Sequence, residues 1–196
     1  MRHLILQEFV SLDGMAAGPN GSVGFIPVAS SGDQSFGARQ SEFLDSIDAI
    51  LLGRVTYEMF AGYWPKVTTG DEKAFADKLN AIPKVVFSST LYRAPWGDWK
   101  EATLVKTNAV TEIERLKQLP GKDMVIWGSI SLAQSLMKDG LIDEYQLVVC
   151  PTVLGEGRRL FDQHVPSGDM HLISTRSFDR GTVLLSYSGA MVTAER

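Results

Sequence analysis

The sequence is poor in the residues that build covalent cross-links and metal sites. It contains one cysteine, Cys150, and three histidines, and no two histidines stand at an H-x-H or H-x-x-x-H spacing. A disulfide within the chain is therefore excluded, and the single thiol suits a reducing compartment. A zinc site built from the usual cysteine and histidine ligands has almost no support. We expect no metal ion in the functional site.

Long apolar runs and an excess of positive charge are also missing. The most apolar uncharged stretch, Met124 to Met137, contains three serines and a glutamine, whereas a membrane-spanning helix needs about 20 apolar residues. Glu8 and Asp13 interrupt the N-terminus before a signal-peptide core could form. The formal net charge is −4, opposite in sign to the footprint of a general nucleic-acid-binding protein. We expect a cytoplasmic protein that binds neither nucleic acid nor membrane.

What the sequence contains is typical of a globular α/β chain. Hydrophobic residues make up 44% and charged residues 21% of its 196 residues, and a prior of roughly 150 residues per domain predicts one domain over 1–196. Short apolar strands alternate with amphipathic helices through the first three quarters. Two longer strands at the end, about 171–178 and 182–187, are joined by Asp179-Arg180-Gly181, which favours a hairpin.

This alternation predicts a mostly parallel central sheet that is flanked by helices and ends in an antiparallel hairpin. Residues 14–37 are rich in glycine and lack periodicity, so we expect a long loop there, and loops of that length are often functional. The next helix is expected over Glu42 to Ile47, where Phe43, Leu44 and Ile47 have helical spacing.

Three predicted junctions between a strand and the following turn consist of small and polar residues. They are Gly53-Arg54-Val55-Thr56, Ser88-Ser89-Thr90 and Gly128-Ser129. Because parallel strands place their carboxyl ends at one sheet edge, where open α/β sheets bind ligands, we expect these junctions to lie together. Two of them open helices, whose free N–H groups favour phosphate, and Arg54 adds a forked cation. Ordinary turn chemistry explains any one junction alone, whereas the three together favour a phosphate-bearing cofactor.

Other chemistries have little support in the sequence. It contains no G-x-G-x-x-G, no G-x-x-x-x-G-K-[ST] and no G-x-S-x-G, so a dinucleotide fingerprint, a P-loop and a hydrolase elbow are all missing. Cys150 lies in a β-rich run and is interpreted as a core residue rather than a nucleophile. A bound hydride donor would make a protein nucleophile unnecessary, because the cofactor then carries the difficult step.

Ordered motifs along nearly the whole chain point to one family. They are Ser11-Leu12-Asp13-Gly14, Leu52-Gly53-Arg54-Val55-Thr56-Tyr57-Glu58, Lys84-Val85-Val86-Phe87-Ser88-Ser89-Thr90-Leu91, Gly140-Leu141-Ile142-Asp143-Glu144-Tyr145 and Pro151-Thr152-Val153-Leu154-Gly155-Glu156-Gly157 with Leu160-Phe161. The set resembles the dihydrofolate-reductase-like superfamily, most closely the reductase domain at the C-terminus of bifunctional riboflavin-biosynthesis enzymes. The resemblance implies a three-layer α/β/α fold with a mixed eight-stranded sheet, NADPH as hydride donor, and a homodimer.

The resemblance also implies roles for individual residues. Arg54 and Ser88-Ser89, with the hydroxyl of Thr90, would hold the adenosine 2′-phosphate. The pyrophosphate would contact Gly53, Thr56, Gly128, Ser129 and Ile130. Asp13 would lie near the nicotinamide and the substrate and is the candidate catalytic residue, for orientation or proton delivery; the alternative is an aspartate that only forms a turn. Leu154 and Gly155 would form part of the substrate rim, and Trp127 would either stack on a flat ring or fill the core.

Two departures from the riboflavin-pathway pattern keep alternatives open. Trp127 stands where those reductases tend to carry an acid, and Met15 stands where they favour a base, which weakens an anionic ribosyl-phosphate substrate. The first hypothesis is an NADPH-dependent reductase of a small heterocycle, resembling 5-amino-6-(5-phosphoribosylamino)uracil reductase. Alternatives are a pterin reductase of the dihydrofolate reductase type, for which Asp45 is a poorly spaced candidate ligand, a nucleotide-binding protein without catalysis, and a structural dimerisation domain.

Overall fold

The computed structural model describes residues 1–26, 32–163 and 165–189; part of the predicted loop, 27–31, and His164 lie outside them. An eight-stranded sheet forms the centre, in the order β5-β4-β3-β6-β1-β7-β10-β9. Its strands are β1 Leu4–Ser11, β3 Ile47–Gly53, β4 Lys84–Phe87, β5 Thr103–Val105, β6 Asp123–Trp127, β7 Glu144–Cys150, β9 Leu172–Ser177 and β10 Val183–Ser188. Two short strands, β2 Met15–Ala17 and β8 Arg158–Arg159, form a separate antiparallel pair.

Helices cover both faces of the sheet. They are α1 Gln34–Ser46, α2 Arg54–Tyr63, α3 Lys73–Ala81, α4 Ala109–Gln118 and α5 Ile130–Lys138, with short 3-10 turns at Pro19–Gly21 and Trp64–Lys66. Phe43, Leu44, Tyr57 and Leu79 of α1, α2 and α3 pack into one core cluster, and the buried apolar residues of α4 and α5 pack into the other. The three layers are therefore helix, sheet and helix, as the sequence predicts.

Alternation along the central strands explains why the sheet carries a core on each face. In β1, Leu4 and Leu6 pack beneath α4 and α5, whereas Ile5 packs on the opposite side. A strand that is buried on both faces reads as a nearly continuous apolar run, because successive side chains point to opposite faces. The strands from β5 to β7 pair in parallel, and β10 pairs antiparallel with both β7 and β9. The predicted mixed, mostly parallel sheet with a terminal hairpin is confirmed.

The helix α1 begins earlier than its apolar spacing indicates. Asp33 caps it by accepting a hydrogen bond from Phe36 N (3.0 Å), and a second carboxylate oxygen accepts from Arg180 N (2.9 Å) in the terminal hairpin. This side chain satisfies one free N–H group of the first turn and joins the helix to a distant turn. The sequence-based expectation of a helix over Glu42 to Ile47 is therefore too short, and Ile47 begins β3 instead.

One carboxyl group is buried inside the sheet. Glu8 of β1 is 4% exposed, on the same face as Leu6 and Val10. Its Oε1 accepts a hydrogen bond from Phe9 N (3.1 Å), and within the described ranges Oε2 has no hydrogen-bond partner. Burial raises the pKa of this carboxyl from 4.5 to about 8, so the protonated form prevails in the folded protein at neutral pH.

Replacing Glu8 with glutamine is expected to change how stability depends on pH. The folded state retains the Glu8 proton up to about pH 8, whereas the unfolded chain releases it near pH 4.5, so this group lowers stability progressively as the pH rises between those values. Glu8→Gln removes that loss, by about 1 kcal/mol per pH unit. Urea unfolding at several pH values should therefore show a variant whose advantage grows towards pH 8. Glu42→Gln, at an exposed position, is the control; parallel curves for Glu8→Gln and the wild type would contradict the assignment.

Candidate cofactor and substrate site

Two of the predicted junctions are locked together at the carboxyl edge of the sheet. Gly53 N donates a hydrogen bond to Ser129 Oγ (2.9 Å), and Ser129 N donates to Thr56 Oγ1 (2.9 Å). The first turn of α2 and the turn before α5 therefore hold each other in place. Both helices present their N-termini at this edge, where free N–H groups and the positive dipole end favour an anion.

The turn before α5 has a backbone that restricts its sequence. Gly128 and Ser129 both have left-handed dihedrals, with φ of 53° and 59°. A Cβ at position 128 would lie 3.2 Å from Thr56 Cγ2, so a larger residue would be strained and would push the two junctions apart. Ile130, the first residue of α5, packs its side chain against the core, which leaves its backbone as the part available to a ligand.

A pocket of about 410 Å³ opens beside the hydrogen-bonded Gly53, Thr56 and Ser129. It lies between the start of α2 and the ends of β4 and β5, and is lined by Arg54, Phe87, Ser88, Ser89, Thr90, Val105, Lys106 and Thr107. Ser88 Oγ accepts hydrogen bonds from Thr90 N and Leu91 N (both 3.2 Å) and so shapes the turn. The structure thus brings the predicted residues Arg54, Ser88, Ser89 and Thr90 together.

Lys106 and Thr107 are pocket residues that the sequence analysis misses. They directly follow β5, so the rule that selected the other junctions, polar residues at the carboxyl end of a parallel strand, also applies to them. The Lys106 ammonium lies 5.2 Å from the centre of the Tyr92 ring. Hydroxyl groups and two cations around one pocket are a donor set suited to phosphate.

Asp13 fixes the loop that was expected to form the substrate rim. Its Oδ1 accepts from Ser11 Oγ (2.6 Å) and Leu154 N (3.1 Å), and its Oδ2 accepts from Gly155 N (2.7 Å). The bond from Ser11 and those from the two backbone N–H groups lower the pKa of Asp13 from 3.8 to about 2. The carboxyl is therefore ionised at neutral pH. Both roles expected for Asp13, orienting the substrate or delivering a proton, stay predictions.

Trp127 belongs to the core rather than to an open surface. The side chain is 6% exposed and lies among Phe43, Phe60 and Phe75, with ring centres 6.2 to 6.5 Å apart. Its indole N–H donates to Gln7 Oε1 (2.7 Å). Of the two alternatives for Trp127, stacking on a flat ring or filling the core, the structure therefore favours the core, because the side chain is buried in a core cluster.

Met15 follows the Ser11–Gly14 turn at a position where a basic residue was expected, and an arginine from β8 lies opposite it. Met15 pairs with Arg159 in the β2–β8 ladder, and Arg159 Nη1 donates to Asp13 O (3.3 Å). Its neighbour Arg158 donates to Ser131 Oγ (2.8 Å) at the start of α5. Both arginines are exposed, and neither forms an ion pair with a carboxylate in the described part of the chain. Two exposed arginine side chains therefore lie near the turn that contains Asp13.

Possible metal ligands and the single thiol were located within the described residues. No group of three or more histidine, cysteine, aspartate or glutamate side chains gathers as a metal site among the residues described. Cys150 is buried, and burial raises the pKa of its thiol to about 11. No helix in the described ranges is both long and apolar enough to cross a membrane.

Comparison with known proteins identifies the family. The RibD C-terminal domain family matches residues 2–184. The chain belongs to this family. It is 34% identical over 187 residues to the uncharacterized protein YyaP of Bacillus subtilis (strain 168), and the match covers 95% of this chain and 94% of that protein.

Solved structures show the same fold. A protein of Shewanella sp. PV-4 provisionally assigned to riboflavin biosynthesis is 23% identical, with a TM-score of 0.71 and coverage of 95% of this chain and 98% of that one. A diaminohydroxyphosphoribosylaminopyrimidine deaminase/5-amino-6-(5-phosphoribosylamino)uracil reductase of Thermotoga maritima is 12% identical, with a TM-score of 0.63 and coverage of 95% and 56%. At these identities the likeness concerns the fold, which is that of dihydrofolate-reductase-like proteins of the RibD type.

Removing the Asp13 carboxylate is expected to release the Leu154–Gly155 segment. In Asp13→Ala the two amide groups lose their acceptor, so hydrogen exchange at Leu154 and Gly155 should accelerate. Exchange in the central strands is expected to stay slow, which serves as the internal control. Unchanged exchange at both amides would show that the carboxylate does not hold this loop.

Proposed function

We propose that the protein is an NADPH-dependent reductase that transfers a hydride to a small heterocyclic substrate with an anionic group. The observation that carries the proposal is the phosphate-type pocket of Arg54, Lys106 and the Ser88–Thr90 hydroxyls, which adjoins the locked junctions of α2 and α5. Membership of the RibD C-terminal domain family supports a reductase.

The residues present fit such a cofactor. NADPH, when bound, supplies a hydride, which carries the two electrons for reduction of a C=N or C=O bond, and water supplies the accompanying proton. Arg54, Ser88, Ser89, Thr90 and Lys106 would hold its 2′-phosphate. Its pyrophosphate would contact Thr56, Gly128 and Ser129 and the backbone of Gly53 and Ile130.

The residues near Asp13 support an anionic substrate. Arg159 lies across the ladder from Met15 and reaches the Asp13 carbonyl, and Arg158 lies beside the start of α5. An arginine without a carboxylate partner recognises phosphate or carboxylate through its forked N–H groups. Asp13 acts here as a positioning residue: through two N–H groups it keeps Leu154 and Gly155 in place as part of the substrate rim.

The pterin reductase alternative has less support. Asp45, the candidate carboxylate on α1, is 66% exposed and forms an ion pair with Lys78 (2.8 Å). It is therefore engaged at the surface, away from the carboxyl edge of the sheet, since it lies at the C-terminal end of α1 next to the start of β3. The alternative without catalysis stays open to the experiment below, because Trp127 occupies the place where an acid was expected.

The proposal is tested by binding and turnover with matched ligands. NADPH should raise the melting temperature of the protein more than NADH does, since only NADPH carries the 2′-phosphate. NADPH should then be consumed with an aminopyrimidine ribosyl phosphate, and less efficiently with its dephosphorylated form or with a dihydropterin. In Arg159→Gln the KM for the phosphorylated substrate should rise about tenfold with kcat little changed, whereas Arg115→Gln on α4, at an exposed position, should not alter it.

Each other outcome selects an alternative. NADPH binding without consumption across the substrate panel would favour a nucleotide-binding protein that lacks catalysis. A protein that binds neither nucleotide would favour a structural domain and would exclude the cofactor assignment. Preferred turnover of the dihydropterin would favour the pterin reductase and would remove Arg159 from substrate recognition.

The proposal includes a homodimer. β9 is the edge strand of the sheet, and all of its residues are exposed, with Leu172 at 55% and Ile173 at 58%. An exposed apolar edge strand offers unpaired backbone groups to another strand, and two copies related by a two-fold axis can pair such edges antiparallel. Light scattering after size-exclusion chromatography should give twice the chain mass, and Ile173→Lys should give a monomer. A monomeric wild type at micromolar concentration would exclude the dimer.

A further inference from the structure

We infer that Lys106, rather than Arg54, is the residue by which this protein distinguishes a 2′-phosphorylated adenosine from an unphosphorylated one. The inference rests on the proposed function, because it concerns the pocket assigned above to the 2′-phosphate. The decisive observation is how the charges around that pocket are compensated.

Arg54 brings little net charge to the pocket. Its Nη1 lies 3.0 Å from Glu58 Oε2, one helical turn further along α2, and both side chains are about half exposed. An anion that binds near the Arg54 guanidinium therefore also lies near the Glu58 carboxylate. A phosphate bound in the pocket would be attracted by the guanidinium and repelled by the carboxylate, so the two contributions partly cancel. Arg54 can still donate hydrogen bonds, but its electrostatic contribution is reduced.

Lys106 brings a full positive charge. In the described part of the chain it forms no ion pair with a carboxylate, and its ammonium lies over the ring of Tyr92, 5.2 Å from the ring centre. An aromatic face attracts a cation without neutralising it. Tyr92 is itself 92% exposed, so this contact does not bury the ammonium. Arg54, Glu58 and Lys106 together give the pocket a net charge of +1, and Lys106 is the uncompensated member.

The backbone around Lys106 explains how a lysine at this position reaches the pocket. Val105 ends β5, the edge strand next to β4, and Ser88 N donates to Val105 O (3.0 Å). This bond ties the turn with the Ser88–Thr90 hydroxyls to the residue before Lys106. The backbones that carry the hydroxyl groups and Lys106 are consequently joined by a main-chain hydrogen bond beside one pocket.

The test compares two ligands that differ only in the 2′-phosphate: adenosine 2′,5′-bisphosphate and adenosine 5′-monophosphate. Isothermal titration calorimetry at low ionic strength gives the ratio of their Kd values for each variant, without any turnover. Lys106→Met should lower this preference about tenfold and Arg54→Met about twofold to threefold. Glu58→Gln should raise the preference, because it frees the charge of Arg54. Lys138→Met, with the same charge change at the far end of α5, is the control and should leave the ratio unchanged.

The outcomes separate this inference from the proposed function. If the wild type does not prefer the bisphosphate, the cofactor assignment fails and the role of Lys106 fails with it. If the wild type prefers it but Arg54→Met costs more than Lys106→Met, the cofactor assignment stands and this inference is overturned. An unchanged or lower preference in Glu58→Gln overturns the charge compensation on which it depends. Circular dichroism and melting temperatures of each variant exclude misfolding as the cause of a loss.

Discussion

The two hydrogen bonds between Gly53, Thr56 and Ser129 determine the shape of the functional edge. They join the end of β3 to the end of β6, which are neighbours in the sheet, and so fix the starts of α2 and α5 relative to each other. The left-handed Gly128 permits the approach, because a side chain there would meet Thr56. This contact therefore sets the positions of Arg54 and of the free N–H groups at the start of α5.

A second polar contact operates inside the core beside that edge. Gln7 of β1 is fully buried, and its Oε1 accepts hydrogen bonds from Gln40 Nε2 (2.8 Å) and from the Trp127 indole (2.7 Å), while its Nε2 donates to Gln146 (2.8 Å). A buried amide linked to α1, β6 and β7 fits only one arrangement of those elements, since any shift leaves polar groups unpaired. This network specifies the register of the central strands and keeps the Trp127 ring within the core.

Local patterns in the sequence account for much of the fold and for part of the site. The apolar strands and the terminal hairpin could be predicted because each is encoded by neighbouring residues. The proximity of Arg54 to Ser88, Ser89 and Thr90 could be predicted because strand ends share an edge, whereas Lys106 and Thr107 at the end of β5 were missed. β8 could not be predicted, since two exposed arginines carry no strand pattern and their pairing with β2 is non-local. Arg159 is therefore found only when the fold places it opposite Met15. Arg54 and Glu58 form a helical i, i+4 ion pair, which could be predicted from their spacing in the sequence. That Lys106 lines the same pocket as Arg54 could be seen only in the structure.

The proposed binding of phosphate by an acidic chain depends on how charge is distributed along the edge. Lys106 follows β5, whereas Arg158 and Arg159 lie beside the turn after β1, and four strand spacings separate β5 from β1. At about 4.8 Å each, these spacings amount to roughly 19 Å. The stretch between them contains hydroxyls and backbone N–H groups of Thr56, Gly128 and Ser129, which are neutral. A small anion cannot contact both ends, which is consistent with the proposed dinucleotide and a substrate at the arginine end. Lys106, Arg158 and Arg159 provide the local positive charge in a chain whose net charge is −4.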